Sequence, residues 1–205
     1  MGRVRGKNWM QEHVADAYVK RARNEGMRSR SAFKLEQMAE RDRLFRPGMT
    51  VVDLGAAPGG WSQIAARRVA PGGRVIALDV VDMVSLPGVT FVRGDFRDQA
   101  AVEALERELG GRQADLVLSD MAPNLSGIGS LDQARSLELT ELALEFALNH
   151  LKPQGNFLVK TFHGSGFDSF LRRMRRHFRE VLTRKPEASR SRSSEVYLLG
   201  RGPRP

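Results

Sequence analysis

The chain has 205 residues, of which 41% are hydrophobic and 28% are charged, values that are ordinary for a protein with one packed domain. It contains no cysteine, which excludes disulfides and thiolate metal sites, and no apolar run approaches the ~20 residues that a transmembrane helix needs. The first seven residues lack the apolar core of a secretory signal, so we expect a cytoplasmic protein.

The net charge of +9 is unevenly distributed along the chain. Residues 1–46 carry +6 and residues 171–205 carry +8, whereas residues 47–170 carry −5. Basic ends around an acidic centre favour a polyanionic partner that both ends contact, although a solvated surface that only aids solubility would give the same counts. We expect residues 1–27 to form a flexible basic arm that orders on RNA, and residues 28–205 to form a single domain.

Apolar runs and glycine or proline breaks divide the domain into alternating strands and helices. The predicted strands are 51–54, 74–79, 89–93, 115–120, 155–160 and 195–200. The predicted helices are 32–45, 61–69, 99–109, a long one that ends near 151, and 166–177. Ser29 or Ser31 is expected to cap the first of these helices. The strands are continuous apolar runs, which indicates a parallel sheet covered on both faces, and the alternation predicts a doubly wound α/β domain.

A glycine-rich stretch, 55–60, joins the first predicted strand to the next helix. Such a turn presents free backbone N–H groups at the carboxyl edge of the sheet, where open α/β sheets bind nucleotides. Its spacing differs from the G-x-G-x-x-G of dinucleotide sites, so a dehydrogenase is the weakest alternative. A smaller adenosine-containing ligand such as S-adenosylmethionine fits better, although a tight turn without a ligand stays open.

The predicted helix 166–177 is strongly amphipathic. Its apolar stripe, which includes Phe167, Phe170 and Met174, is predicted to be core. Its arginine face is either solvated surface or a ridge that contacts phosphates, and Arg28 and Arg30 are further candidates for phosphate contacts.

Acidic residues and one lysine follow the carboxyl ends of successive predicted strands. Asp79 ends the second strand, Asp95 follows the third, Asp120 ends the fourth and Lys160 ends the fifth. These ends share one edge in a parallel sheet. Asp79 could accept hydrogen bonds from the ribose of an adenosine and Asp95 from its adenine. A lysine that ends an apolar strand needs a partner for its charge, and Asp120 on the neighbouring strand is placed to pair with Lys160. Glu195 reaches the same edge if the last strand is antiparallel. Each acid alone is equally consistent with a cap or turn, and the Lys160–Asp120 pair with a structural role.

The motifs VVDLGAAPGGWSQ, ALD, GDFRD, LSDMAPN, FLVKTF and SSEVYLLG occur in this order and resemble those of the FtsJ-type (RlmE) ribosomal RNA 2′-O-ribose methyltransferases. The resemblance extends from Arg28 to Gly200. It implies a Rossmann-like, mostly parallel seven-stranded sheet with an antiparallel last strand, and S-adenosylmethionine as cofactor. It implies a uridine in the A-loop of 23S rRNA, on the assembled large ribosomal subunit, as substrate. The implied catalytic residues are Lys34, Asp120, Lys160 and Glu195. The implied cofactor-binding residues are Gly59, Trp61, Asp79, Asp95 and Asp120.

The sequence leaves two roles open for Lys160: a general base for the ribose hydroxyl, or a cation that holds and polarises this hydroxyl. We expect a monomer without a metal ion and without a membrane segment. The alternatives are a methyltransferase that acts on an mRNA cap or a transfer RNA, and a ribosome-assembly factor that binds RNA without catalysis.

Overall fold

The computed structural model of the protein describes residues 17–123, 126–190 and 193–205. The helices in these ranges are α1 (Ala17–Asn24), α2 (Ala32–Asp42), α3 (Gly60–Val69), α4 (Gln99–Leu109), α5 (Gly129–His150) and α6 (Phe167–His177). The strands are β1 (Thr50–Leu54), β2 (Arg74–Asp79), β3 (Val89–Arg93), β4 (Ala114–Ser119), β5 (Leu151–Phe162), β6 (Phe178–Arg184) and β7 (Glu195–Pro203). None of these helices combines the length and the apolar character that a membrane span requires.

The seven strands form one sheet in the order β3-β2-β1-β4-β5-β7-β6. Strands β1 to β5 are parallel, whereas β7 runs antiparallel to both of its neighbours. This confirms the predicted fold class. Because β7 is reversed, its first residue pairs with the last residue of β5, so that Glu195 lies opposite Phe162 and Tyr197 opposite Lys160. The start of β7 therefore lies at the carboxyl edge of the parallel strands, as expected for Glu195.

Side-chain alternation along the strands divides the core into two layers. On one face, Val52 and Leu54 pack with α4, α5 and α6. On the other face, Val51 packs with α2 and α3, in a cluster that includes Trp61 and Tyr197. Helix α2 thus covers the face of the sheet to which the side chain of Tyr197 belongs.

Strand β6 was not predicted from the sequence, in which no strand was assigned between the predicted helix 166–177 and the predicted strand 195–200. In the structure Phe178 is the first residue of β6 and is buried, whereas most of the strand is exposed or half-buried. An edge strand has one neighbour and carries charged side chains that discourage pairing with another chain, so it lacks the apolar run of a central strand.

The N-terminal region is partly helical. Helix α1 lies within the predicted arm and buries Val19 and Ala22, and the ring of Tyr18 lies 5.7 Å from that of Phe33. The flexible arm stays a prediction for residues 1–16, which lie outside the described residues.

The predicted cap and end of the helix after the arm were wrong. Ser31 has helical backbone angles and makes no capping bond; its hydroxyl lies 2.7 Å from that of Ser29. Helix α2 ends at Asp42 rather than Phe45 because Arg43 adopts a left-handed conformation (φ 52°) and donates its N–H to the carbonyl of Ala39.

Candidate active site

The glycine-rich turn brings the backbone of β1 close to the segment that follows β4. Gly55 has φ 78°, and a Cβ atom built on it would lie 2.8 Å from backbone atoms of Met121. Only glycine fits both the positive φ and this close approach. The N–H of Gly55 is held by the carbonyl of Leu78, 2.9 Å away, which fixes the turn against the end of β2.

A cavity of about 630 Å³ opens beside this turn, at the carboxyl edge of the parallel strands. Its lining includes Gly55, Asp79, Asp95, Asp120 and Met121. This volume lies within the ~300–1,000 Å³ typical of small-molecule sites. The structure therefore brings together Asp79 and Asp95, which their places at strand ends had assigned to a ligand, and Asp120, which the family resemblance had assigned to the cofactor.

Two of the acids that line the cavity are held by neighbouring groups. Asp79 accepts hydrogen bonds from the N–H of Ala57 at 2.9 Å and from that of Val81 at 2.8 Å. Asp95 pairs with Arg97, whose hydrogen bonds hold the pKa of that carboxyl below its ordinary value. Both acids are thus oriented acceptors for a ligand's hydroxyl or amino groups.

Asp53 adds a fully buried carboxyl at the base of the turn. One oxygen accepts from the hydroxyl of Ser62 at 2.6 Å, while Oδ1 has no hydrogen-bond partner within the described ranges. Burial, with smaller contributions from the charges of Asp120 and Asp79, raises the pKa of Asp53 to about 7. This concentration of negative charge fits a cationic ligand with hydrogen-bond donors, and the ammonium and sulfonium groups of S-adenosylmethionine meet that demand. Within the described ranges, no group of three or more acidic or histidine side chains is arranged to hold a metal ion.

Two ion pairs lie next to the cavity, at the same edge of the sheet. Lys160 is 8% exposed; its Nζ donates to the backbone carbonyl of Asp120 and lies 3.1 Å from the carboxylate Oδ1 of the same residue. Lys34, from the first half of α2, donates to Oε1 of Glu195 at 2.6 Å. The four residues that the family resemblance had assigned to catalysis therefore converge, although 161 positions separate Lys34 from Glu195.

Tyr197 joins the two ion pairs and was missed in the sequence. Its hydroxyl donates to Oδ1 of Asp120 at 3.2 Å and accepts from Nζ of Lys34 at 3.4 Å. Burial, and next the charge of Asp120, raise the pKa of Tyr197 well above its ordinary value, so that the phenol stays protonated and remains a donor. Tyr197 follows Glu195 by two positions, and strand alternation alone places both side chains on one face.

Glu195 has a second partner in the turn before β7. The hydroxyl of Ser189 donates to its Oε1 at 2.9 Å. Burial raises the pKa of Glu195, but the hydrogen bond and the charge of Lys34 outweigh it, and the net pKa lies below the ordinary value. Glu195 is therefore a carboxylate fixed from two sides.

The two remaining residues assigned to the cofactor lie outside the cavity lining. Gly59 precedes α3 with φ 103° and faces the side chain of Arg28. Trp61 is buried, donates its indole N–H to the carbonyl of Ser31 at 2.9 Å, and lies 5.7 Å from the ring of Tyr197. The contact of either residue with the cofactor stays a prediction.

Neither of the two arginines expected to contact phosphates has a free guanidinium. Arg28 donates to the carbonyls of Pro58, Val84 and Ser85 and so ties the glycine-rich turn to the loop after β2. Arg30 donates to the carbonyl of Ala188.

Comparison with known proteins identifies the family. A family model described as FtsJ-like methyltransferase matches residues 27–203. The chain belongs to the FtsJ-like methyltransferase family. Two proteins named ribosomal RNA large subunit methyltransferase E, from Methylobacillus flagellatus and Stenotrophomonas maltophilia strain K279a, are each 58% identical to this chain over 198 residues. Both alignments cover 97% of this chain. They cover 96% of the Methylobacillus protein and 94% of the Stenotrophomonas protein.

Two solved methyltransferase structures share the fold of this chain. A ribosomal RNA methyltransferase structure from Plasmodium falciparum superimposes with a TM-score of 0.77 at 26% identity, and covers 85% of this chain and 97% of its own. A methyltransferase from Streptococcus mutans in complex with SAH, at 10% identity and a TM-score of 0.52, shares the fold; that match covers 83% of this chain and 94% of its own.

Proposed function

We propose that this FtsJ-like methyltransferase transfers a methyl group from S-adenosylmethionine to the 2′-hydroxyl of a uridine in the A-loop of 23S rRNA, on the assembled large ribosomal subunit. The observation that carries the proposal is the convergence of Lys34, Asp120, Lys160 and Glu195 beside the acidic cavity. The names of the relatives supply the RNA class.

The cavity residues divide between the two ends of the cofactor. Asp79 accepts hydrogen bonds from the ribose hydroxyls and Asp95 from the adenine amino group, beside the buried ring of Phe96. Asp120, which lines the cavity, offsets the positive charge of the methionine end. When bound, S-adenosylmethionine supplies a methyl group that its sulfonium has already activated.

The protein's task is then to place the ribose hydroxyl and to handle its proton. Lys160 has two oxygen acceptors on Asp120, an arrangement suited to an ammonium group that also donates to the 2′-oxygen. In this role Lys160 stabilises the negative charge that develops on the oxygen as its proton passes to solvent. If Lys160 instead releases a proton before the RNA binds, its amine accepts the hydroxyl proton as a general base.

Lys34 and Glu195 hold the sugar. Their ion pair is partly buried, with 13% and 12% of the two side chains exposed, and it lies one hydrogen bond away from Tyr197. A cation and a carboxylate at fixed positions can donate to and accept from neighbouring ribose oxygens. Such positioning can contribute about 7–11 kcal/mol to lowering a barrier.

The experiment that tests this function is a map of ribose methylation in ribosomal RNA from cells with and without the protein. We expect a single 2′-O-methyluridine of the 23S A-loop to disappear with the protein and to return with the wild-type gene. Purified protein should restore it on undermethylated large subunits. Loss of a methyl group from a transfer RNA or a cap instead, or unchanged methylation, would contradict the proposal.

A further inference from the structure

A second cavity, of about 640 Å³, lies at the opposite edge of the sheet, where β1 begins. Its lining includes Glu40, Arg43, Phe45, Arg46, Met49 and Arg68. Helix α2 connects the two edges, because Lys34 lies near its start and Arg43 directly follows its end. Its 11 residues span about 16 Å, so this cavity is separate from the site of the two ion pairs.

The charge in this cavity is largely uncompensated. The side chains of Arg43 and Arg46 are exposed and form no hydrogen bond or ion pair with the described part of the chain. The one carboxylate among the lining residues, Glu40, lies 3.2 Å from Arg68. Two guanidinium groups therefore face the cavity without a counter-charge from its lining.

Asp42, the acid next to Arg43 in sequence, does not neutralise Arg43 or Arg46. Asp42 is almost fully buried, and its carboxylate accepts two hydrogen bonds from Arg184, at 2.6 and 2.8 Å. Its backbone carbonyl and its carboxylate also contact Arg201. Asp42 is thus satisfied on the side of β6 and β7, and Arg43 keeps its charge for an external partner.

The backbone presents the two arginines from a short, well-defined segment. Arg43 is the one non-glycine residue in the described ranges with a positive φ, at a helix-end position where glycine is the ordinary choice. The N–H of Arg46 donates to the sulfur of Met49, whose own N–H donates back to the carbonyl of Arg46 at 3.4 Å. Buried Met49 and half-buried Phe45 give the cavity an apolar floor between its charges.

We propose that this second cavity binds the phosphodiester backbone of the RNA substrate, at a segment remote from the nucleotide that is methylated. Guanidinium groups bind phosphate oxygens through paired N–H donors, and the apolar floor suits the sugar and base between two phosphates. The inference rests on the proposed function, since a large structured RNA can contact both edges of the sheet whereas a single nucleotide cannot.

The test compares a double variant, Arg43→Gln with Arg46→Gln, with the wild-type enzyme on undermethylated large ribosomal subunits. We expect the KM for subunits to rise about tenfold at unchanged kcat, and the slope of log KM against log salt to fall by about 2, one for each lost phosphate contact. The matched control is Arg107→Gln with Arg112→Gln, two exposed arginines at the end of α4 whose side chains make no hydrogen bond or ion pair within the described part of the chain. This control should keep the wild-type KM and slope.

Equal KM and slope in the Arg43/Arg46 variant and the wild type would overturn the inference, and so would an equal effect in the control pair. If the double variant melts early, Arg46→Gln alone carries the test, with an expected slope change of about 1. Uridine 5′-monophosphate is the probe for the other source of phosphate, a free nucleotide. If this nucleotide binds in the wild-type cavity while the variants leave the KM for subunits unchanged, the cavity belongs to free nucleotides. That result would refute an RNA contact. The proposed function fails separately, if the wild type leaves the subunits unmethylated.

Discussion

At the scale of single residues, the proposed chemistry depends on Lys160. Replacement by alanine removes the group that holds the hydroxyl and its proton, so we expect kcat to fall by about 10²–10⁴-fold on large subunits. A circular dichroism spectrum and a melting curve serve as folding controls. Turnover within twofold of the wild type would eliminate both roles of Lys160.

The variant Lys160→Arg separates those two roles. A guanidinium keeps the positive charge and cannot act as a base at neutral pH. Measurable recovery over the alanine variant would support the orienting cation that the two Asp120 oxygens suggest, whereas activity at the level of the alanine variant would support a base.

The hydroxyl of Tyr197 makes a second prediction at this scale. In Tyr197→Phe the ring and its packing on Trp61 remain, but Asp120 loses a donor and Lys34 loses an acceptor. A hydrogen bond to a charged group contributes about 1.5–3 kcal/mol, so we expect kcat to fall at least tenfold with a small change in the KM for RNA. Tyr18→Phe, at the chain's other tyrosine, is the control and should retain activity. A Tyr197→Phe variant with wild-type kcat would show that the ion pairs hold their geometry without the bridge.

The buried carboxyl of Asp53 makes the stability of the folded protein depend on pH. Its pKa rises from 3.8 to about 7 on folding because the charged form is buried, so between these values the folded state holds a proton that the unfolded state has lost. Stability therefore falls as pH rises through this window, by at most about 4 kcal/mol at ~1.4 kcal/mol per pKa unit.

The variant Asp53→Asn carries no charge at any pH and avoids this loss. We expect its melting temperature, relative to that of the wild type, to rise between about pH 4 and pH 7 and to stay level above that range. Thermal unfolding of both proteins across this range, without cofactor, is the measurement. Parallel pH profiles would contradict the raised pKa of Asp53.

At the scale of elements, Arg28 is the connection between the glycine-rich turn and the loop after β2. Its fork of donors contacts carbonyls on both segments, and Asp79 lies between them. In Arg28→Gln the loop should loosen, so we expect about tenfold weaker binding of SAH by calorimetry and faster hydrogen exchange at residues 82–86. At saturating cofactor, kcat should stay near the wild-type value. Arg28→Lys tests whether the fork rather than the charge matters; full recovery in this variant would contradict the loop connection.

The central strands were predictable because apolar runs and glycine breaks in the sequence mark the same boundaries there. Strand β2 was predicted with its observed bounds, and β4 within one residue, since both are short apolar runs closed by a polar residue. Strand β6 buries only Phe178 and mixes charged residues into the rest, so its pairing comes from the antiparallel β7 beside it rather than from its own pattern.

The site could be predicted only in part from residue patterns. Strand ends placed Asp120 beside Lys160, because neighbouring parallel strands end at one edge. Lys34 lies on a helix that precedes the whole sheet, and periodicity does not encode how such a helix docks; its place beside Glu195 came from the family resemblance. Tyr197 could have been found by alternation from Glu195.

At the scale of the whole molecule, basic groups lie at both edges of the sheet, on the side that α2 covers. Lys34 and Arg43 stand at the two ends of α2, and Lys185 donates to the carbonyls of Ser193 and Glu195 at the start of β7. The excess of basic residues at both ends of the sequence thus includes groups on the α2 side of the sheet, whereas the cofactor cavity is acidic. RNA and cofactor are therefore expected to respond differently to ionic strength.

The binding of RNA and the binding of cofactor should depend differently on salt concentration. Each phosphate that a protein neutralises releases counterions, so affinity for RNA falls as a power of salt concentration. We expect the KM for large subunits to rise at least tenfold between about 50 and 200 mM potassium chloride at constant magnesium. The KM for S-adenosylmethionine should change less than twofold, because its contacts are short-range and partly buried. A flat salt dependence for the subunits would mean that the charge of +9 is solvated surface, and would withdraw the electrostatic part of substrate recognition.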